Sequence, residues 1–348
     1  MNNSTVPLPV PFTDGINFLL DTLSLRGAAL YRGRFSAPWG ISFTRDTGQT
    51  GRQTGRSANA QFHVVLSGSP CYITVSGGET VMLQLGDFVL LPHADAHTLK
   101  SDATVAATPL ERALSRGVLD GDLLSFGGGG APTETLCGDI YFAGEAHGTP
   151  VTLAHPLLAA LPPLMVLRGE NGVALPWLGA TLDFLRCEIV SDRPGNQTVI
   201  NRLAEILFIQ AVRSHLAEGD LNCPNANYLR ALVEPRIAPA MLAMHTRPAI
   251  VWSVASLAAL CYVSRSAFAQ SFHAQVGVAP LAYLTQWRLF LAGRYLRGTE
   301  RITVGEIAAR VGYGSEAALS KVFKTHTGFV PGEYRKRNET SSSALGVV

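Results

Sequence analysis

Two sets of side chains in this 348-residue sequence could do chemistry. The first is His63, His93, His97 and Cys137, with Cys71 nearby in sequence. Neutral imidazole and thiolate together suit Zn²⁺, and His93 and His97 stand four residues apart after a predicted strand. The same groups, with Phe62 and Tyr72, could instead line a pocket mouth for a small organic effector. The effector reading is preferred, because a histidine at a strand end is commonly a surface or satisfied polar group. The second set is C-terminal: Arg265, Ser266, Ala269 and Gln270, then Glu316, Ala317, Ala318 and Lys321. Arginine matches the O6 and N7 acceptors of guanine, and glutamine the N6 and N7 of adenine. Glu316 can accept from a cytosine amine, or do no more than complement a helix N-terminus. Lys321 could reach a base or the backbone. Arg288, Arg294, Arg297 and Lys324, with Arg310, Arg335, Lys336 and Arg337, would supply phosphate affinity without base choice.

The second set needs helices to present it. Leu257, Leu260 and Cys261 fall at i, i+3 and i+4, the apolar stripe of a short helix. Tyr262-Val263 interrupts it. Ser264 is then a natural cap for a second helix, whose Phe268 and Phe272 bury one face and turn the other outward. The pattern returns after Val304: a helix to Val311, the break Gly312-Tyr313-Gly314, and a second helix capped by Ser315 with Leu319 and Phe323 inward. The exits match too, Gly277-Val278-Ala279-Pro280 against Gly328-Phe329-Val330-Pro331, each followed by a tyrosine, Tyr283 or Tyr334.

This doubled pattern resembles the AraC/XylS family of bacterial transcription regulators. The resemblance spans about Pro235 to Arg335 and is close in Gly312-Tyr-Gly-Ser-Glu-Ala-Ala-Leu-Ser320. It implies two helix-turn-helix units bridged by a helix over Pro280 to Gly298, with Leu284, Trp287, Leu291 and Leu296 facing inward. The second helix of each unit would lie in the major groove of double-stranded DNA, its N-terminal residues at the base edges.

Upstream the hydrophobic period is different. Asp14 to Leu25 reads as an opening helix on Ile16, Leu19, Leu20 and Leu23. From Ala28 to Leu91, short alternating runs between Gly-rich turns read as strands of a sandwich or small barrel. Phe62-His-Val-Val-Leu-Ser-Gly68, Leu85-Gly-Asp87 and Leu91-Pro-His-Ala-Asp-Ala-His97 resemble the cupin barrel, over about Ala28 to Gly144. Ser101 to Ala131, ending in four glycines, reads as a mobile surface excursion, and Thr135 to Phe142 as a returning strand. Helices follow on Leu157 to Leu164, Trp177 to Val190 and Asn196 to Glu218. The last carries Val199, Leu203, Ile206, Leu207, Ile209 and Val212, a surplus apolar stripe that suggests a homodimer matched to a repeated half-site.

The expected fold is therefore an α+β two-domain chain: an N-terminal cupin-like β-barrel with flanking helices, then an all-α paired helix-turn-helix domain. The expected limits are 1–218 for the sensor and dimerisation domain, 219–234 for a linker and connecting helix, 235–337 for the DNA-binding domain, and 338–348 for a disordered tail. From Pro235 to Arg337 there are 13 basic and 4 acidic residues, a net +9, against −7 for the rest of a chain with 28 basic and 26 acidic residues. The positive half is the one suited to phosphates. No run approaches the roughly 20 apolar residues of a membrane span, and five scattered cysteines fit a reduced cytoplasm. The function expected is sequence-specific transcription regulation by a small effector, with RNA polymerase as a further partner if the protein activates. The rival is a cupin-type metal enzyme with an accessory nucleic-acid domain. Against catalysis stands the missing motif of paired histidines and a glutamate before Gly68.

Overall fold

The structure is a computed structural model that describes residues 10–23, 25–44, 60–121, 123–142, 155–169, 176–191, 193–218, 226–298 and 300–343. In chain order its strands are β1 (Leu25–Ser36), β2 (Gly40–Phe43), β3 (Ala60–Gly68), β4 (Cys71–Val75), β5 (Thr80–Leu83), β6 (Phe88–Leu91), β7 (His97–Lys100), β8 (Thr108–Pro109), β9 (Val118–Asp120), β10 (Leu123–Gly127), β11 (Pro132–Phe142) and β12 (Met165–Leu167). Among and after them run the helices α1 (Val10–Thr22), α2 (Leu110–Arg116), α3 (Pro156–Ala160), α4 (Pro176–Ile189), α5 (Asn196–Glu218) and α6 (Ala226–Ala231). The helical end of the chain holds α7 (Ala238–Thr246), α8 (Val254–Leu260), α9 (Arg265–Val276), α10 (Pro280–Arg297), α11 (Val304–Val311), α12 (Glu316–Thr327) and α13 (Pro331–Ser343).

The chain divides into two units that alternate along the sequence. One takes Leu25–His147 and Leu161–Asp220, the other Met1–Ser24, Gly148–Ala160 and Leu221–Val348. The expected boundary near residue 218 therefore misses two excursions, one carrying α1 and the other α3.

The β-rich unit holds two sheets, of order β12-β6-β3-β11-β1-β10-β9 and β5-β4-β7-β2-β8. Alternation builds the layer between them: Phe35, Ile41, Val65, Ile73, Leu91 and Leu99 are buried in one cluster, and every second residue turns the other way. No strand pairing joins the two sheets among the described residues, so the expected barrel is a two-sheet arrangement without closure. The stretch expected as a mobile excursion is ordered into β8, α2, β9 and β10. Its β10 pairs in parallel with β1 from Arg32 to Ser36, which supplies the backbone partners a free loop would lack. Before Arg32, side chains of α5 take over: the Ala28 N–H donates to Asn201 Oδ1 at 2.9 Å, and its carbonyl accepts from Gln197 Nε2 at 3.0 Å. The α5 stripe is thereby largely used up, with Leu203, Leu207 and Val212 buried and Ile206 exposed. Buried Asp87 holds the turn before β6 to the strand end of β12, accepting from the Gly169 N–H and from Arg168 Nη1, both at 2.8 Å.

In the helical unit α10 is the shared spine. The α8–α9 half packs on it through Tyr283 and the Phe268–Phe272 pair, the α11–α12 half through Leu289, Ala292 and Leu296. The helix expected to open the first domain is instead part of this body. Phe18 of α1 stacks over His245 of α7, ring centroids 6.2 Å apart, and also meets Trp287. Behind it, buried His155, just before α3, meets the edge of Phe290 at 5.1 Å and bonds to Thr22 Oγ1 at 2.8 Å. The tail expected from residue 338 is helical as far as Ser343. The helix is anchored where Tyr334 packs on Phe323, centroids 5.4 Å apart, and residues 344–348 lie outside the described set. Residues 219–225 of the expected linker lie outside it too, and α6, expected as a connecting helix, belongs to the helical unit.

Candidate functional site

The two second helices, α9 and α12, are built alike. Each is 12 residues long and is capped by a serine that accepts from the third backbone N–H inside: Ser264 from Ala267, Ser315 from Ala318. Each ends at a glycine, Gly277 or Gly328, with φ 81 and ψ −9, a left-handed stop that suits glycine. Phe268 and Phe272 in one, Leu319 and Phe323 in the other, are buried. That leaves Arg265, Ser266, Gln270, Glu316, Ala317, Ala318 and Lys321 exposed, with Ala269 half-buried.

The cations behind these helices behave differently from the expectation. Arg288 donates from Nε to the Pro248 carbonyl at 2.8 Å and from Nη2 to that of Ile250 at 2.9 Å, and lies over the Tyr313 ring. It is a brace for the loop between α7 and α8. Arg297 bonds to the Tyr334 hydroxyl and covers its ring. Arg294 lies over Phe290, Arg310 pairs with Glu300 at 3.6 Å, and Arg335 donates to the Ile302 carbonyl at 2.7 Å. Planar guanidinium groups fit carbonyls and ring faces as well as phosphates, and sequence position cannot separate these uses. Lys324, Lys336 and Arg337 remain exposed, Arg337 above Phe329. Sequence reading missed Tyr262, which sits at φ 54 in the first turn and is 97% exposed. The one signal was its place between two helices where the second copy has glycine.

In the β-rich unit, His63, His97 and Cys137 come together and His93 does not. Register sets His63 opposite Cys137 across β3 and β11, with His97 at the start of β7 in the facing sheet. His63 Nδ1 lies 2.9 Å from Cys137 Sγ, and His63 Nε2 lies 2.7 Å from His97 Nε2. His97 Nδ1 lies 2.8 Å from the Asp95 carbonyl. His93 is held apart, 3.0 Å from the Leu161 carbonyl. Each ring nitrogen of His63 thus faces a different neighbour in a hydrogen-bonded chain, where metal ligands must aim at one common point. Among the described residues no three His, Cys, Asp or Glu groups converge in that way. Phe62 and Tyr72 also leave the set. Strand alternation turns Phe62 to the opposite face, against Phe88 at 5.4 Å, and turns Tyr72 outward between Cys71 and Ile73.

Burial holds His97 neutral, with its pKa pulled down to about 4. The Asp95 carbonyl can only accept, so the His97 Nδ1 carries the proton and its Nε2 is bare. That nitrogen accepts from the Nε2–H of His63, whose own Nδ1 is left bare toward the Cys137 thiol. The chain opens onto a small, partly open cavity of about 50 Å³. Its walls are chiefly Tyr31, Phe43, Leu110, Leu114, Leu119 and Leu124, with Gln61 and Asp139, themselves bonded at 2.8 Å, beside Cys137. Both α2 and β9 contribute, so the segment read as an excursion builds one side of the site.

A doubled helix-turn-helix body on a common spine, with a two-sheet domain carrying a walled cavity, defines a DNA-binding regulator with a sensor-type domain. The comparisons agree. Residues 14–217 match the cupin family and residues 257–337 a helix-turn-helix domain family. The regulator AlkR of Acinetobacter baylyi is 35% identical over 280 residues, covering 79% of this chain and 87% of the relative. A putative AraC-like transcription regulator of Streptomyces lividans is 34% identical over 282 residues, covering 79% and 86%. The solved DNA-binding domain of AdpA in complex with a target DNA is 32% identical and covers 30% of this chain and 94% of that one, with a TM-score of 0.29. The chain belongs to the AraC-like family of transcription regulators, with a cupin domain at its N-terminal side. No helix among the described residues is long and apolar enough to cross a membrane.

Proposed function

We propose that α9 and α12 read two successive stretches of one DNA half-site and that the inter-sheet cavity binds the effector that governs them. The observation that carries the reading is the matched construction of α9 and α12, each with an outward face between the same two caps. Arg265 and Gln270 would take purine edges in the first helix; in the second, Lys321 would take a base or backbone group and Glu316 a cytosine amine. Lys324, exposed at the far end of α12, would meet phosphate. A two-fold dimer would place two such bodies on a repeated site. The exposed apolar residues that would serve it are Phe184 and Val190 at α4 and Ile206 on α5.

The test is selection of binding sites from random-sequence DNA by the full chain and by its Arg265→Ala and Gln270→Ala variants. Each change should relax base choice at one position, by about 1–3 kcal/mol. An unchanged preferred sequence in both variants refutes this assignment of the reading face. Sedimentation of the full chain and of Phe184→Glu tests the dimer, which the substitution should dissociate.

A further inference from the structure

We infer that Cys137 is a nucleophile that captures an electrophilic effector inside the inter-sheet cavity, with His63 taking the thiol proton. This rests on the reading of that cavity as the effector site. The described cysteines stand in four different settings. Cys71 is buried in the apolar layer, and burial pushes its thiol up to about 12. Cys261 is buried at the end of α8, and its thiol too is raised by burial. Cys187 is exposed on α4. Among them only Cys137 combines a place in a cavity wall with an imidazole nitrogen at 2.9 Å.

The relay makes that nitrogen a base. Its direction is fixed from the far end, where the Asp95 carbonyl requires a proton on His97 Nδ1. His63 then keeps its proton on Nε2 and offers Nδ1 to the thiol. Once His63 takes the thiol proton, the imidazolium still donates from Nε2 to neutral His97, which holds the ring in place. A nucleophile, a base and a third group that orients the base are the parts of an activated thiol. Phe43, Leu110, Leu114 and Leu119 suit an apolar body. Gln61, after giving one amide N–H to Asp139, keeps a second for a carbonyl oxygen. These features suit a small α,β-unsaturated carbonyl compound, its carbonyl at the polar side of the wall where Arg32 and Gln61 lie. In the step, the thiol proton passes to His63 Nδ1 and sulfur bonds to the β-carbon. The carbon–carbon π pair moves to the α-carbon, which takes the proton back from His63. No oxidant or reductant is required.

The experiment treats the full-length protein with 2-cyclohexenone and follows it by intact mass and peptide mapping. Cys137 should be modified first, about 10-fold or more faster than Cys187 despite the exposure of the latter. His63→Gln should slow the reaction about 100-fold with an unchanged thermal unfolding midpoint. Cys137→Ser, a near-isosteric change that leaves His63 and His97 intact, should abolish the fast phase. For wild type alone, the adduct should change affinity for a selected DNA site by about 5-fold or more. Labelling of Cys187 as fast as Cys137, or a fast phase that survives Cys137→Ser, overturns the nucleophile and leaves the cavity open to a reversible ligand. A Cys137 adduct with unaltered DNA affinity overturns the effector role and counts against the cavity reading as well.

Discussion

The first helix-turn-helix unit leans on a polar aromatic cluster, the second on hydrocarbon. Beside α9 lie His245, Tyr283 and Tyr228, joined by hydrogen bonds of 2.6 and 3.0 Å, with His155 buried nearby against Trp287 and Phe290. Beside α12 lie Leu289, Leu296, Ile307 and Val311, with Tyr334 buried among them, Tyr295 and Tyr313 packed against the cluster, and no histidine in it among the described residues. The turns differ as well. The left-handed position is Tyr262 in the first unit and Gly312 in the second, and the second turn is one residue longer. A duplicated plan has thus kept its caps while its two copies acquired different cores, so the copies should fail under different stresses.

The largest expected difference is in acid. Burial pulls His245 down to about 3, and His155 well below its usual range for the same reason, with Arg294 and His245 as further causes. In the unfolded chain these groups bind protons near pH 6.5. Stability is therefore complete above that pH and is lost as pH falls through the window from about 6.5 toward 3. At pH 5 the cost is about 2 kcal/mol for His245 alone. Amide exchange at pH 7 and 5, corrected for intrinsic rates, should show α8 and α9 losing protection ahead of α11 and α12. Equal loss in the two halves would break the comparison.

Next comes Gly312→Ala. Gly312 lies at φ 90, and an added Cβ would stand 2.8 Å from the Pro248 carbonyl oxygen, the Ala249 Cα and Arg288 Nη2. Strain and contact together should cost about 2–3 kcal/mol, read as a lower midpoint in urea. Arg288→Ala should come close behind, near 2 kcal/mol for two charged hydrogen bonds to carbonyls. It should leave the salt dependence of DNA binding unchanged, whereas Lys324→Ala should reduce that slope by about one unit. A reduced slope in Arg288→Ala would return it to the phosphate-contacting set. The smallest effect belongs to Tyr262→Gly. Removing a left-handed side chain should raise stability by up to about 1 kcal/mol. If the exposed ring lies against DNA, affinity should fall in the same variant, and equal affinity would mark the tyrosine as incidental.

The doubled unit was legible because its signals are local: caps, an i, i+4 aromatic pair and a closing glycine each act within one helix. The spans of α5 and α10 were readable for the same reason. His63, His97 and Cys137 were readable as candidates, since strand alternation could bring them together. That His93 departs from them, and that Phe62 and Tyr72 face away, depends on strand register and sheet pairing, which no single segment carries. Arginine roles were the least legible. Arg288 and Lys324 both lie on helices of a basic domain, and only the carbonyls of Pro248 and Ile250, 40 and 38 residues from Arg288, tell them apart. The place of α1 was equally hidden, because an amphipathic helix states that it needs a partner without saying which one.

That helix has a consequence for synthesis. Phe18 leaves the ribosome about 270 residues before Trp287, its partner in the folded body. At roughly 5–20 residues per second, the interval is about 15–50 s. Until α7 follows, the apolar face of α1, with Ile16 and Leu19, lacks most of its native surface, and Leu157 and Leu158 of α3 wait in turn for α6. The DNA-binding body is therefore completed only after the β-rich unit, although α1 is made before that unit and α3 within it. A gene fragment that starts at α6 would encode both reading helices and still leave Trp287, Phe290 and His245 uncovered.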